Sequence, residues 1–244
     1  MIPPNERIKF NRCHQKAPKE VTIFAVNSGK IMQSMESLRT EYSKSQLDIK
    51  GLPKDPIIQF NKWFAEASAS KVPEPNAMNL ATASRDGLPS SRIVLLKGVE
   101  NGCFIFYSNY QSSKGKELEE NPACALNFFW PELERQVRIE GVAERISEEK
   151  STAYFHSRPR ESQIGAWASP QSLPIADRSI LEKRVKEIEE RFKNQTVLPK
   201  PKQWGGFQVE PLMIEFWQGR PSRLHDRILY AKEGTEWTIS RLAP

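Results

Sequence analysis

The sequence predicts a β-rich α+β fold, an antiparallel barrel with helices packed around it. Short extended runs separated by turn residues fill 77–146, the hairpin dipeptides Asp86-Gly87 and Asn101-Gly102 join them, and one helix is inserted near Ser112. Composition agrees with this. The chain has 244 residues, 38% hydrophobic and 27% charged, which suits one large or two small globular domains and excludes wholesale disorder. No apolar run approaches the roughly 20 residues that cross a bilayer, so no membrane partner is expected. Cys13, Cys103 and Cys124 form no CxxC pair. Without a secretory signal they read as free thiols in a reducing, cytoplasmic setting.

Residues 1–33 lack pattern and are expected to be a disordered extension, with 34–244 as the folded domain. A polar helical stretch is expected around Ser34–Leu47. Asp55-Pro56 marks a helix start, with a capping oxygen followed by a ring suited to the first helical position, and Ile57, Phe60, Trp63 and Phe64 share one face. Met78, Leu80 and Thr82 alternate with smaller or polar neighbours, and Asp86-Gly87 turns the chain into Arg92–Leu96. Asn101-Gly102 turns it again into Cys103–Ser108. The inserted helix stops before Pro122, and strands follow at Ala123–Trp130 and Gln136–Ile146. Ser147 opens a helix that Pro159 ends or kinks. Asp177 caps an amphipathic helix with Leu181, Val185, Ile188 and Phe192 on one stripe. The final β section is expected as Gly206–Glu210, Met213–Trp217, Arg227–Lys232 and Trp237–Ser240.

The net charge of +6, with pI near 9.2, points first to nucleic acid. Its location argues otherwise. Residues 1–30 hold six basic side chains against Glu6 and Glu20, so the remainder is nearly balanced and lacks a basic stripe. That basic start reads either as a weak targeting segment or as a floppy tail; its acids and scarce serine favour the tail. Neither common glycine-rich nucleotide loop is present, nor are paired cysteines or an HExxH motif for zinc. No metal is expected.

Four segments mix cations, hydroxyls and aromatics. Ser91–Lys97 is an apolar strand bracketed by cations, readable also as a buried strand with snorkelling ends. Tyr107–Gly115 runs from a strand end into a helix start, where free N–H groups, hydroxyls and Lys114 would cradle a phosphate; many such helix starts bind nothing. Tyr154, Arg158 and Ser162 sit four apart and all donate to phosphate, although Pro159 breaks a simple helical face and pushes Arg158 out of helical geometry. The bland alternative is a solvated helix end. In an extended chain Arg223, His225 and Arg227 would point to one side, and three cations there call for an anion or acceptor opposite.

The strings RIVLLKG at 92–98, RQVRIEG at 135–141, YFHSRPRESQIGAWAS at 154–169, WGGF at 204–207, EFWQGRPSRLHDR at 215–227 and RLAP at 241–244 resemble the pyridoxine (pyridoxamine) 5′-phosphate oxidase family. The resemblance runs from about residue 38 to the C-terminus. It implies an FMN-binding split β-barrel with peripheral helices, dimerising with two FMN molecules at the interface. It also implies oxidation of phosphorylated B6 vitamers by O2 to pyridoxal 5′-phosphate, with hydrogen peroxide and, from the amine, ammonia.

By position, the resemblance assigns Arg92 and Lys114 to the FMN phosphate. Ile93, Val94, Leu95, Tyr107, Ser108, Gln136, Gln171, Ser172, Trp217 and Arg227 would hold the rest of the flavin. Lys97, Tyr154, Arg158 and Ser162 would grip the substrate phosphate, and Arg223 and His225 would act at the pyridine ring. Arg39 and Tyr42 would belong to a segment closing over the substrate. One position departs. Where the family reads Ser-Arg-Lys, this chain reads Ser112-Ser113-Lys114, so one arginine expected at the FMN phosphate is missing. A flavin or pyridoxal phosphate carrier without turnover is the competing class. The Arg223/His225 pair argues against it, because a flavin-only binder has no use for a second anion site.

Overall fold

The structure, a computed structural model, describes residues 40–244; the expected extension 1–33 and Arg39 lie outside the described residues. Helix α1 (Pro56–Ala69) starts as the sequence dictates, with the Asp55 carboxylate accepting from the Ile57 N–H at 2.8 Å and Pro56 following. The hairpin of β1 (Ala77–Ala83) and β2 (Pro89–Leu95) turns at Asp86-Gly87. A second hairpin joins β3 (Gly98–Glu100) to β4 (Cys103–Asn109). Its Asn101 and Gly102 both have positive φ, as a two-residue hairpin turn requires.

Helix α2 (Ser113–Glu120) is capped by Ser112 and precedes β5 (Ala123–Trp130) and β6 (Arg135–Arg145). Ser147 caps α3 (Glu148–Ser157), and Pro159 separates it from α4 (Arg160–Ala168). Asp177 caps α5 (Arg178–Arg191), and β7 (Trp204–Gln218), β8 (Asp226–Glu233) and β9 (Glu236–Leu242) complete the chain. Among the described residues no helix is long and apolar enough to cross a membrane.

The nine strands form one antiparallel sheet in the order β2-β1-β5-β6-β7-β4-β3, with β8 and β9 added to β7. It curls so that β2 approaches β4, and the Lys97 N–H, just ahead of β3, donates to the Ile105 carbonyl of β4 at 2.8 Å. This is the expected split barrel. Its interior is filled by Leu80, Phe104, Phe106, Leu126, Val137, Ile139, Val209 and Phe216, all buried. Helix α1 lays Phe60 against Phe104 (4.9 Å between ring centres) and Phe128 (5.2 Å), and sets Trp63 edge-on to Phe216. Burying such side chains supplies roughly 1.5–3 kcal/mol each, the main drive for closing the sheet. Phe155, Ile164, Phe192, Leu198 and Trp204 make a second cluster beneath α3 and α4.

Three expectations change. The final β section does not break at Pro211; Trp204–Gln218 is one strand of 15 residues. Pairing shifts from Glu140–Met213 to Gly141–Pro211, leaving Leu212 as an extra residue, and at such a bulge the missing proline N–H is tolerated. The described part of the expected helix at Ser34–Leu47 is an extended strap instead. Its N–H groups at Ser43 and Lys44 donate to the Glu134 carboxylate, and that of Leu47 donates to Asp226. Tertiary acceptors replace the helical ladder. Finally, Pro221–Arg223 is a tight turn in which Ser222 and Arg223 have φ of 56° and 61°, so Arg223, His225 and Arg227 do not share one strand face. Of the three only Arg227 lies in β8.

Gly141 permits the bulge, since a Cβ there would stand 2.2 Å from the Glu210 carbonyl oxygen. Backbone cannot yield as a side-chain tip can. Gly141→Ala is therefore expected to lower unfolding free energy by about 1–3 kcal/mol, read as a shifted urea midpoint at unchanged slope. An unchanged midpoint would show that the bulge relaxes freely.

Candidate functional site

The seam where β2 approaches β4 opens into a cavity of about 700 Å³. Strand β2 contributes Arg92, Ile93, Val94 and Leu95, with Lys97 just beyond it; the end of β4 contributes Tyr107 and Ser108; Lys114 comes from the first turn of α2. Tyr154 of α3, Arg158 at its C-terminus and Ser162 of α4 complete the far wall, with Gln171 beside them. Pro159 does not separate the three phosphate-competent residues. Arg158 leaves α3 in extended geometry (φ −77°, ψ 150°), and the kink brings Tyr154, Arg158 and Ser162 onto one wall. Ser172 does not line the cavity and is exposed, with φ of 72°. Asn109, Pro159 and Trp204 line it without having been assigned a role from the sequence.

The cations of this cavity differ in how they are held. Arg92 donates to Thr82 and Ser90, both at 2.5 Å, and pairs with Glu117 at 3.2 Å. Burial alone would raise the Glu117 carboxyl, but hydrogen bonds from Thr82 and Ser90, together with the Arg92 charge, hold it below its usual range. Arg92 is thus fixed by β1, β2 and α2 together.

Lys114 and Arg158 have no acidic partner within ion-pair distance among the described residues. The Lys114 ammonium is buried and meets the Ser112 hydroxyl at 3.4 Å. Burial, and then the neighbouring Arg92 charge, lower its pKa. Burial likewise lowers that of Arg158, whose Nη1 is buried without any hydrogen-bond partner. Its guanidinium lies 4.7 Å over the Trp204 ring, and its carbonyl accepts from the Gln163 side chain at 2.8 Å. Tyr107, Tyr154 and Trp204 stack in parallel around it, and burial pushes the Tyr107 hydroxyl up to about 12. Ser113 is exposed at the start of α2 and does not line the cavity.

The remaining predicted residues form a second group, none of which lines that cavity. Gln136, Trp217 and Arg227 are neighbours across β6, β7 and β8. Arg227 is held by Glu215 at 2.6 Å, and that hydrogen bond raises its pKa. His225 lies 4.6 Å from Trp217, and Tyr42 packs edge-on against both, at 5.9 and 5.7 Å. The His225 Nδ1 accepts from the Arg220 N–H at 3.1 Å, so a neutral ring carries its proton on Nε2. Burial and the Arg223 charge lower its pKa, which favours that neutral form. Arg223 itself is exposed on its left-handed turn.

Cations without acidic partners and stacked aromatic rings thus line one cavity, and His225 and Arg223 lie outside it. Residues 64–192 match the family described as pyridoxamine 5′-phosphate oxidase, and residues 204–244 match the pyridoxine 5′-phosphate oxidase C-terminal dimerisation region. The pyridoxine/pyridoxamine 5′-phosphate oxidase of Burkholderia thailandensis is 53% identical over 216 residues, covering 87% of this chain and all of that protein. Its counterpart in Rubrobacter xylanophilus is 55% identical over 212 residues, covering 87% and 97%. The crystal structure of PhzG from Burkholderia lata, in complex with tetrahydrophenazine-1-carboxylic acid, superposes with a TM-score of 0.76 at 31% identity, covering 80% of this chain and 95% of that one. An FMN-binding protein from Nostoc punctiforme shares the fold at a TM-score of 0.62 and 16% identity, covering 79% and 100%. The chain belongs to the pyridoxine/pyridoxamine 5′-phosphate oxidase family and is an oxidoreductase on its split barrel.

Proposed function

We propose that this protein oxidises pyridoxamine 5′-phosphate and pyridoxine 5′-phosphate with O2 to pyridoxal 5′-phosphate, using FMN, as a homodimer. The observation that carries the reading is a pair of cations in one cavity with no acidic partner within ion-pair distance among the described residues: Lys114, which is buried, and the half-buried Arg158, whose Nη1 is buried without a hydrogen-bond partner. Burying a charge unpaired is costly, and a phosphate dianion supplies the missing acceptors. Both proposed ligands carry one.

The residues present fit FMN. Arg92 and Lys114 would hold its phosphate, with Ser113 leaving that grip one arginine short. Ile93–Leu95, Tyr107, Ser108 and Gln171 would line its body, with Ser172 nearby. FMN, when bound, would supply the two-electron oxidation of the substrate C4′ carbon, with O2 as the final acceptor and hydrogen peroxide as its product. Lys97, Tyr154, Arg158 and Ser162 would grip the substrate phosphate and so fix where C4′ lies, a proximity contribution. For the amine, water then hydrolyses the oxidised C=N bond, releasing ammonia and the aldehyde.

The second group would come from the other copy of the chain. Trp217, Arg223, His225 and Arg227 lie within the segment matching a dimerisation region, and none lines the cavity of its own chain. Gln136, Trp217 and Arg227 of one protomer would thus complete the flavin site of its partner. Arg223 would cover the substrate ring, and the neutral His225 would donate from Nε2.

The purified protein, loaded with FMN, is expected to be yellow and to bleach under anaerobic pyridoxamine 5′-phosphate, while unphosphorylated pyridoxamine barely bleaches it. A protein that cannot be loaded with FMN would refute the assignment. Arg158→Ala is expected to weaken substrate binding by about ten- to a hundredfold, one charged hydrogen-bond partner's worth, with FMN affinity nearly constant. Titration of each variant by flavin fluorescence separates the two. Loss of FMN instead would mean that the two phosphate grips are exchanged.

A further inference from the structure

Glu134 is buried, yet it has no cationic partner within ion-pair distance among the described residues. A buried carboxylate must find donors, and here the strap supplies them. One oxygen, Oε2, accepts from the Ser43 N–H at 2.8 Å and from the Lys44 N–H at 3.0 Å. Glu134 itself sits in left-handed backbone (φ 55°) between the turn after β5 and the start of β6. Its carbonyl accepts from the Gly219 N–H at 2.7 Å and from the Gln218 side chain, so its position is tied to the end of β7.

Two further contacts point the same way. Asp226 accepts from the Leu47 N–H at 3.1 Å while pairing with Arg220 and Arg241, and Arg241 also donates to the Leu47 carbonyl. Gly219 lets the strap approach closely: a Cβ there would stand 2.8 Å from the Tyr42 Cβ and 3.0 Å from that of Glu134. Between these fixed points the chain lays Tyr42 edge-on against Trp217 and His225.

We infer that Glu134 is a positioning residue, a carboxylate latch that holds the strap main chain so that Tyr42 covers the Trp217–His225 face. Asp226 is a second latch, holding the strap at Leu47, three residues beyond Lys44. The inference rests on the reading of Arg223 and His225 as substrate-facing, but the latch itself is testable without it. A strap held by backbone N–H groups docks whatever side chains stand at Ser43 and Lys44, so the information lies in the acceptor.

The test compares Glu134→Ala, Glu134→Gln and Gly219→Ala in the full-length, FMN-loaded protein. Limited trypsin digestion, followed by mass spectrometry, reads cleavage after Lys44 and Lys50. Steady-state assays with pyridoxamine 5′-phosphate read KM and kcat, and flavin fluorescence reads FMN affinity. Glu134→Ala is expected to speed strap cleavage and to raise KM, each by about tenfold, the worth of one charge-assisted hydrogen bond. FMN affinity should fall by less than KM rises, since the latch lies outside the cavity and reaches the proposed flavin site only through Trp217. Glu134→Gln, which keeps an acceptor oxygen, should fall between wild type and Ala. Gly219→Ala leaves the carboxylate in place and wedges the strap away, so it should reproduce both effects even if Glu134→Ala fails to fold. Unchanged cleavage in Gly219→Ala and in the Glu134 variants that fold would overturn the latch. Faster cleavage with unchanged KM would overturn the positioning role. A wild-type protein inert toward pyridoxamine 5′-phosphate, with cleavage still latch-dependent, would sink the functional reading and leave the latch standing.

Discussion

Two cations of one cavity with no carboxylate in ion-pair contact among the described residues, the buried Lys114 and the half-buried Arg158, set the terms of this structure. Lys114 from α2 and Arg158 at the end of α3 are brought into one cavity, and burial lowers the pKa of both. The barrel meets this cost with hydrophobic closure of the sheet and with a neutral acceptor and a ring beside the charges: the Ser112 hydroxyl oxygen at Lys114, and Trp204 beneath Arg158. What it withholds is a carboxylate. Where a carboxylate is present, at Glu117, it is taken up by Arg92, Thr82 and Ser90. The cavity is thereby left electropositive, suited to anions that arrive from outside.

Strand β7 organises the rest. Along one edge it pairs with β6; along the other, its first half pairs with β4 and its second half with β8. Trp204, at its start, belongs to the cavity wall, whereas Trp217, near its end, belongs to the second group. One strand thus carries both halves of the candidate site, and its 15 residues keep them apart within a chain. The bulge at Leu212 allows such length by bending the strand where Pro211 cannot donate.

Much of this was legible in the sequence because it is encoded locally. Asp55, Ser112, Ser147 and Asp177 each cap the helix they announce, and both hairpin dipeptides turn where they stand. The spacing of Tyr154, Arg158 and Ser162 hinted at a shared anion, and the kink at Pro159 brings them onto one wall. What was not legible depends on partners distant in the chain. Pro211 reads as a break until β6 provides Gly141 opposite it. The strap reads as helical until Glu134 and Asp226, roughly 90 and 180 residues away, take its N–H groups. Arg223, His225 and Arg227 read as one strand face until two left-handed residues turn the chain. Glu134 itself carries no local signal, because an acidic residue beside a turn is ordinary. The division of the site residues into two groups has no sequence signature either, since alternation and spacing report faces of one chain and not the assembly of two.

In the proposed dimer, one site is built from the cavity of one protomer and the Trp217–Arg227 group of its partner. Mixed dimers test it most directly. At substrate well below the wild-type KM, Arg158→Ala in the cavity and Arg223→Ala in the second group should each slow the homodimer by about tenfold or more. In a mixed dimer both lesions then fall in one site and the other stays wild type, so about half the wild-type turnover per dimer is expected, because the intact site keeps its full transition-state stabilisation. Mixed dimers as slow as either parent would mean that each site lies within a single chain, and would contradict the account.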